Sequence, residues 1–160
     1  MPLLLILSLG CGAPEKTEPA ALLGTGEWEW EKLDEGDRIP VIQGPQGGFH
    51  LLGSVRIAGL EPGNPGNLGD PRNPTTTFHV WLDGEELAPL ASYVQGLDPI
   101  PGEQVEHTAE MIGRFAILDI GSDDELDGVE LLFEVEIIDA EGREASHSLG
   151  VVGYPHPSNN

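Results

Sequence analysis

The sequence has little cysteine and little positive charge. Its 160 residues include one Cys, and 7 Lys and Arg stand against 28 Asp and Glu, which gives a formal net charge of −21 at pH 7. One Cys cannot form an internal disulfide or a zinc cluster, so the thiol is buried, catalytic or modified. A chain this acidic repels phosphate, since nucleic-acid binders gain their affinity from Lys and Arg. Nucleic acid is therefore excluded as a partner.

The apolar run from Leu3 to Leu9 is far shorter than the ~20 residues that span a bilayer. It ends at Gly10, Cys11 and Gly12, and an apolar run that ends in small residues is typical of a secretory signal. Its cleavage site adjoins the only Cys of the chain. This juxtaposition suggests that the signal and the thiol act together.

Ser8, Leu9, Gly10 and Cys11 resemble the lipobox of bacterial lipoprotein precursors. The resemblance implies cleavage before Cys11, a diacylglycerol thioether on its sulfur and acylation of the new amino group. The family usually has Leu at the position of Ser8, and a cation before the apolar run, where this chain has none. We therefore expect the true start to lie upstream of Met1. The alternative is that Leu3–Leu9 is a core strand and Cys11 an ordinary small apolar residue.

The rest of the chain divides by composition. Residues 1–10 are the predicted signal peptide and 11–25 the lipidated Cys with a flexible tether rich in Pro and Glu. Residues 26–154 form the predicted domain, and 155–160 a C-terminal tail.

Within the predicted domain, apolar residues recur with period two, which indicates half-buried strands. Trp28 and Trp30 alternate with Glu, Ile39 to Gln43 is an edge-type segment because of Pro40, and Gly53 marks a bulge or close approach. Met111 to Ile120 is apolar on both faces, as in a central strand. The pattern predicts an all-β fold: an antiparallel two-sheet sandwich of seven or eight strands, resembling immunoglobulin and fibronectin type III domains in architecture.

A long loop from Glu61 to Pro74 is rich in Pro, Gly and Asn. Unstructured loops beyond about 12 residues are usually functional or disordered. In the first case the loop would project from one end of the sandwich as a contact surface. The predicted contact residues are Asn64, Asn67 and Asn73 of this loop and Trp81 on a sheet face.

Asp123, Glu125 and Asp127, followed by Gly128 and Glu134, match the spacing of a calcium-binding loop. Because Glu134 falls within a predicted strand, roughly 20 Å beyond Gly128, it cannot close the site. What remains is an open acidic loop, either a weak Ca²⁺ site or a solvated turn. No cofactor is otherwise expected.

The five His residues show no ligand spacing, and His147 is expected to be a satisfied residue at the edge of the core. No nucleophile elbow, phosphate loop, dinucleotide fingerprint or zinc-protease motif is present. We therefore expect a protein that is not an enzyme.

The sequence favours a lipid-anchored protein of the bacterial envelope, at the outer membrane and facing the periplasm or the surface. Its domain would be a binding or structural module for an unknown protein or glycan. The alternative is a periplasmic accessory protein that binds Ca²⁺ or a transition metal, and a small hydrolase with a carboxylate pair is a third hypothesis.

Cys11→Ser is expected to abolish membrane anchoring, because two or three acyl chains hold a protein at the bilayer through about 0.8 kcal/mol per buried methylene. The measurement is partition of the expressed chain into nonionic detergent, with incorporation of labelled palmitate. A Cys11→Ser chain that still enters the detergent phase would refute lipidation.

Overall fold

The computed structural model describes residues 17–102 and 106–159. The predicted signal peptide and Cys11 lie outside the described residues. Within these ranges the chain is all-β, as predicted, with no α-helix and one turn of 3₁₀ helix at Asp123–Leu126.

Eleven strands follow one another in the described ranges, and seven of them have six residues or more. In chain order they are β1 Ala20–Thr25, β2 Glu31–Lys32, β3 Arg38–Gln43, β4 Phe49–Ala58, β5 Thr75–Leu82, β6 Glu85–Glu86, β7 Ser92–Val94, β8 Asp98–Pro99, β9 Ala109–Leu118, β10 Glu130–Ile138 and β11 Glu144–Pro155.

The strands form one mixed, mostly antiparallel sheet, with the hydrogen-bonded order β2-β1-β4-β3-β11-β10-β5-β6. β9 pairs with β4 and β8, and β7 pairs with β5. β3 and β11 pair in parallel, so the prediction that all pairs are antiparallel is wrong at this position. Parallel neighbours need a long connection, and here most of the chain lies between the two strands.

β3 links the two halves of the sheet. Its first four residues pair with β11, and Ile42 and Gln43 pair with β4. Each part of β3 therefore has one paired edge. This explains how Pro40, which lacks an N–H, lies in the middle of the strand order although the sequence indicated an edge.

The core collects the inward-facing residues of the long strands. On β10, buried apolar residues alternate with outward Glu side chains, as the sequence predicted. Phe78 of β5 and Phe133 of β10 are fully buried, with ring centroids 6.1 Å apart. At Gly53 of β4, a Cβ atom would lie 2.6 Å from the Phe78 ring, and the register with β9 shifts after this residue. The predicted close approach at Gly53 is confirmed.

The N-terminal part of the domain differs from the prediction. β1 lies within residues 11–25, predicted as a tether, and its Leu23 is fully buried. The strand expected around Trp28 and Trp30 is wrong, because Gly26 turns the chain with φ +106° and Trp28 is 85% exposed. Trp30 instead lies beneath the Arg56 guanidinium, 4.2 Å from the ring centroid. Alternating Glu and Trp therefore marks an irregular segment here.

β9 was predicted as a central strand but has β8 as a partner only at its first two residues. Farther along, its Phe115 and Ile117 are 49% and 53% exposed. The apolar residues on its second face therefore meet solvent rather than a covering layer.

Asp139 joins the β10–β11 hairpin to the start of the long loop. Its buried carboxylate accepts hydrogen bonds from the backbone N–H groups of Glu61 (3.0 Å), Glu141 (2.9 Å) and Arg143 (2.9 Å). The Arg143 guanidinium donates to it as well, at 2.9 and 2.8 Å. Burial raises the pKa of Asp139, but these hydrogen bonds outweigh it and hold the pKa below its ordinary value.

Asp139→Ala is expected to lower the free energy of unfolding by about 3 kcal/mol, because it removes the shared acceptor of three part-buried backbone N–H groups and the Arg143 guanidinium. A depressed pKa means that the contribution is present above the unfolded-state pKa and lost as pH falls through the folded-state pKa. The stability difference between wild type and variant should therefore shrink in acid, as measured by urea unfolding. Asp34→Ala is the control, since it removes an exposed ion pair with Lys32 that is worth under about 1 kcal/mol. Equal effects of the two substitutions would contradict this role of Asp139.

Candidate functional site

The outward face of β5, β10 and β11 is a continuous surface that follows from strand register. Trp81 of β5 lies opposite Leu132 of β10, which lies opposite Gly150 of β11. Partners directly opposite in a sheet share a face, so these residues form one apolar row across three strands. Glu134 lies opposite His79 in the next row, and Glu130 lies on the other side of Leu132.

A groove of about 480 Å³ contains all three residues of this row in its lining. It is lined by Trp81, Asp83, Gly84, Glu130, Leu131, Leu132, Glu134 and Gly150. Its charged side chains are all carboxylates, which accept hydrogen bonds and do not donate them when ionised. We call this the Trp81 groove: an aromatic and aliphatic floor with acidic borders.

The indole of Trp81 is held by its neighbours. The His79 ring stacks on it at a centroid distance of 5.7 Å and an interplanar angle of 21°. His79 Nδ1 lies 2.6 Å from Oε1 of Glu86, and Nε2 lies 3.8 Å from Oε2 of Glu136. One face of the indole thus lies against the His79 ring, which is itself held by Glu86.

The turn after Trp81 agrees with the sequence. Asp83 and Gly84 have φ of 50° and 84°, the left-handed conformation expected of an Asp-Gly hairpin turn. This turn directs β6 back along β5, opposite Trp81. The Asp83 side chain then borders the groove.

Gly150 contributes no side chain to the floor of the groove. Its N–H donates to Oε2 of Glu35 at 2.9 Å, and its carbonyl accepts from the Gly36 N–H at 2.7 Å. A Cβ atom at this position would lie 2.4 Å from Oε1 of Glu35. A side chain here would displace the Glu35 carboxylate that accepts from the Gly150 N–H. Sequence alone gave no signal for this contact.

The loop Glu61–Pro74 is held by its own Asn residues. The Oδ1 atoms of Asn64 and Asn67 accept from the N–H groups of Gly66 (3.0 Å) and Gly69 (3.1 Å). Asn73 is buried, accepts from the Asn64 N–H at 2.8 Å and donates to the Asn67 carbonyl at 2.9 Å. Asn73 is therefore part of the loop's frame, which corrects its prediction as a contact residue. The three amides organise the loop instead of forming one outward patch.

The loop ends in a bidentate ion pair. The Arg72 guanidinium donates to Asp70 at 3.0 and 2.9 Å, and the Arg72 N–H donates to the same carboxylate at 3.0 Å. These bonds hold the pKa of Asp70 well below its ordinary value. The ordered loop disagrees with the alternative of a disordered insertion.

The acidic loop does not gather its carboxylates. Glu125 accepts from the N–H groups of Gly121 (2.9 Å) and Ser122 (2.8 Å), as part of a capping box. Asp123 accepts from Nδ2 of Asn159 at 2.6 Å, and Asp127 lies 3.9 Å from Arg38. Each predicted ligand thus faces a different partner. In the part of the chain described here, no group of three His, Cys, Asp or Glu side chains could hold a metal ion.

Two histidines are structural. Nδ1 of His147 accepts from the Leu23 N–H at 3.1 Å and so ties β11 to β1, in agreement with the expected core-edge role. The His50 ring packs at a tilt against Phe115, with centroids 4.3 Å apart, and burial lowers the pKa of His50 despite the opposing effect of the Glu27 charge.

A second, apolar groove was not anticipated. It has a volume of about 480 Å³ and lies between the Gly44–Gly48 turn and β9. Its walls include His50, Phe115 and Ile117 and carry no charged residue. The alternation of apolar residues in β9 could have identified Phe115 and Ile117 as candidates. Their exposure could not be predicted, because it depends on which strands cover β9.

Comparisons of the chain with family models, curated proteins and solved structures find no significant match. Within the residues that the structure describes, no helix has the length and apolarity that a membrane crossing requires.

Millimolar Ca²⁺ is expected to shift the melting temperature no more than the same concentration of Mg²⁺, because Asp123, Glu125 and Asp127 face separate partners. Differential scanning calorimetry of the full chain measures this. The contrary result is a rise specific to Ca²⁺ that disappears in Asp123→Asn, and it would restore the predicted site.

Proposed function

We propose that this chain is a lipid-anchored bacterial envelope protein whose immunoglobulin-like β-sandwich is a non-catalytic binding module. The observation that carries the binding role is the Trp81 groove, an open, preorganised aromatic site on a sheet face. Of the four predicted contact residues, Trp81 is the one that lines this groove.

Three features support the sandwich. Gly53 of β4 lies against the Phe78 ring of β5, although these strands do not pair, so the two halves of the sheet face each other across the core. β3 divides its pairing between β4 and β11, and strands that switch partners in this way form the corners of sandwiches. The alternating burial of β5 and β10 fits the same arrangement.

The anchor is supported by Cys11 and its lipobox-like context. Ala20, the first residue of β1, is nine positions after Cys11. Nine residues span at most about 30 Å when fully extended. The domain would therefore stay close to the bilayer, and its acidic surface would keep it from lying flat on anionic lipid.

Binding at Trp81 can be tested with the photoreactive amino acid p-benzoylphenylalanine. Placed at position 81 in the full chain in intact cells, it is expected to crosslink a discrete partner, because the groove is open to solvent on a rigid sheet. Position 28 is the matched control, since Trp28 is a tryptophan that is 85% exposed, lies on an irregular segment and does not line the groove.

Discrete products at position 81 and none at position 28 would support the proposal. The same pattern at both positions, or no product at position 81, would contradict it. Analysis on denaturing gels with mass spectrometry distinguishes these outcomes.

A further inference from the structure

We propose that the Trp81 groove binds an extended cationic peptide segment, with Lys or Arg side chains on Glu130 and Glu134 and an apolar side chain on the floor between them. The inference names the partner of the binding function proposed above and rests on it.

Charge complementarity identifies the occupant. The groove is bordered by Asp83, Glu130 and Glu134, and no Lys or Arg is among its lining residues. The described cations are engaged elsewhere, since each of the following lies within ion-pair or hydrogen-bond distance of other residues: Lys32, Arg38, Arg56, Arg72, Arg114 and Arg143. The carboxylates of the groove therefore act on an incoming ligand without a local counter-charge.

The spacing fits an extended chain. Glu130, Leu132 and Glu134 alternate on one face of β10, and two residues of strand advance about 6.6 Å. A peptide in extended conformation repeats its side chains at nearly the same interval. A sequence with cations at its first and fifth positions and an apolar residue at the third can thus match these three residues.

The floor supplies both apolar contact and attraction for a cation. Leu132 is 44% exposed, and its partner on β11 is Gly150, which adds no side chain of its own to the floor. His79 covers one face of Trp81, which leaves the rest of the indole to the groove. A cation near an indole face is attracted by the negative charge density of the ring face.

The same chemistry disfavours other ligands. Anionic ligands are repelled by the borders and by the net charge of −21. A neutral glycan could stack on Trp81 but would leave the carboxylates without charged partners, so the cationic peptide is the better match.

The test uses isothermal titration calorimetry on the full chain in nonionic detergent, at low and at high salt. The probe is the blocked peptide Lys-Ser-Leu-Ser-Lys, compared with Gln-Ser-Leu-Ser-Gln and with cellohexaose. Wild type is expected to bind the lysine peptide, more weakly at high salt, and the other two at least tenfold more weakly.

The combined change Glu130→Gln and Glu134→Gln is expected to weaken binding of the lysine peptide about tenfold, which corresponds to about 1.4 kcal/mol. Glu18→Gln with Glu29→Gln removes the same charge from exposed sites outside the groove and should leave the affinity within about twofold, since screening weakens distant charges. Trp81→Ala should also weaken binding of the lysine peptide, and Trp81→Phe should keep part of the affinity that Trp81→Ala loses. Both Trp81 variants should keep the wild-type melting temperature.

Equal losses in the two charge-matched double variants, or preference for cellohexaose, would overturn the cationic assignment. If position 81 still crosslinks a partner in cells, the binding function stands and only the partner's chemistry is wrong. If neither crosslinking nor peptide binding occurs, both proposals fail.

Discussion

The close approach of β4 to the Phe78 ring is the constraint on which the rest of the structure depends. Gly53 is the position where this approach occurs, and any side chain there would enter the space of the ring. Because Phe78 faces β4, the alternate residues of β5, Trp81 among them, face outward. The register with β10 then places Leu132 beside Trp81. One packing contact in the core thus determines which residues form the groove on the outside.

The few positively charged side chains interact with nearby carboxylates and polar groups. The described cations lie beside carboxylates or polar groups of turns and strand ends, as Arg143 does at Asp139 and Arg72 at Asp70. These pairs fix the two ends of the long loop, since Asp139 also holds Glu61. The other acidic residues that the structure describes are exposed or part-buried, because burying an unpaired carboxylate costs much free energy. The negative potential of the β5–β10–β11 face follows from this distribution.

Sequence patterns predicted the features that are local. The alternation of β10 and the Asp83–Gly84 turn depend on residues that are neighbours in sequence. A glycine within a strand pattern likewise indicates a close approach, as at Gly53, although it does not identify Phe78 as the partner. The parallel pairing of β3 with β11 joins distant parts of the chain and has no local signal. The groove likewise requires the register of three strands. Trp81 was therefore identifiable as a candidate, whereas the roles of Leu132 and Gly150 were not.

The direction of β1 has a consequence for how the domain would stand on a membrane. β1 begins beside Ala58, and the carbonyls of Thr17 and Glu18 lie near Gly59, close to the base of the long loop. Trp81 is near the opposite end of β5, six residues from Thr75, or about 20 Å along the strand. In the proposed anchored state the Asn-rich loop would lie at the membrane-proximal end. The Trp81 groove would then lie near the membrane-distal end of the domain, where a partner held by another surface could reach it.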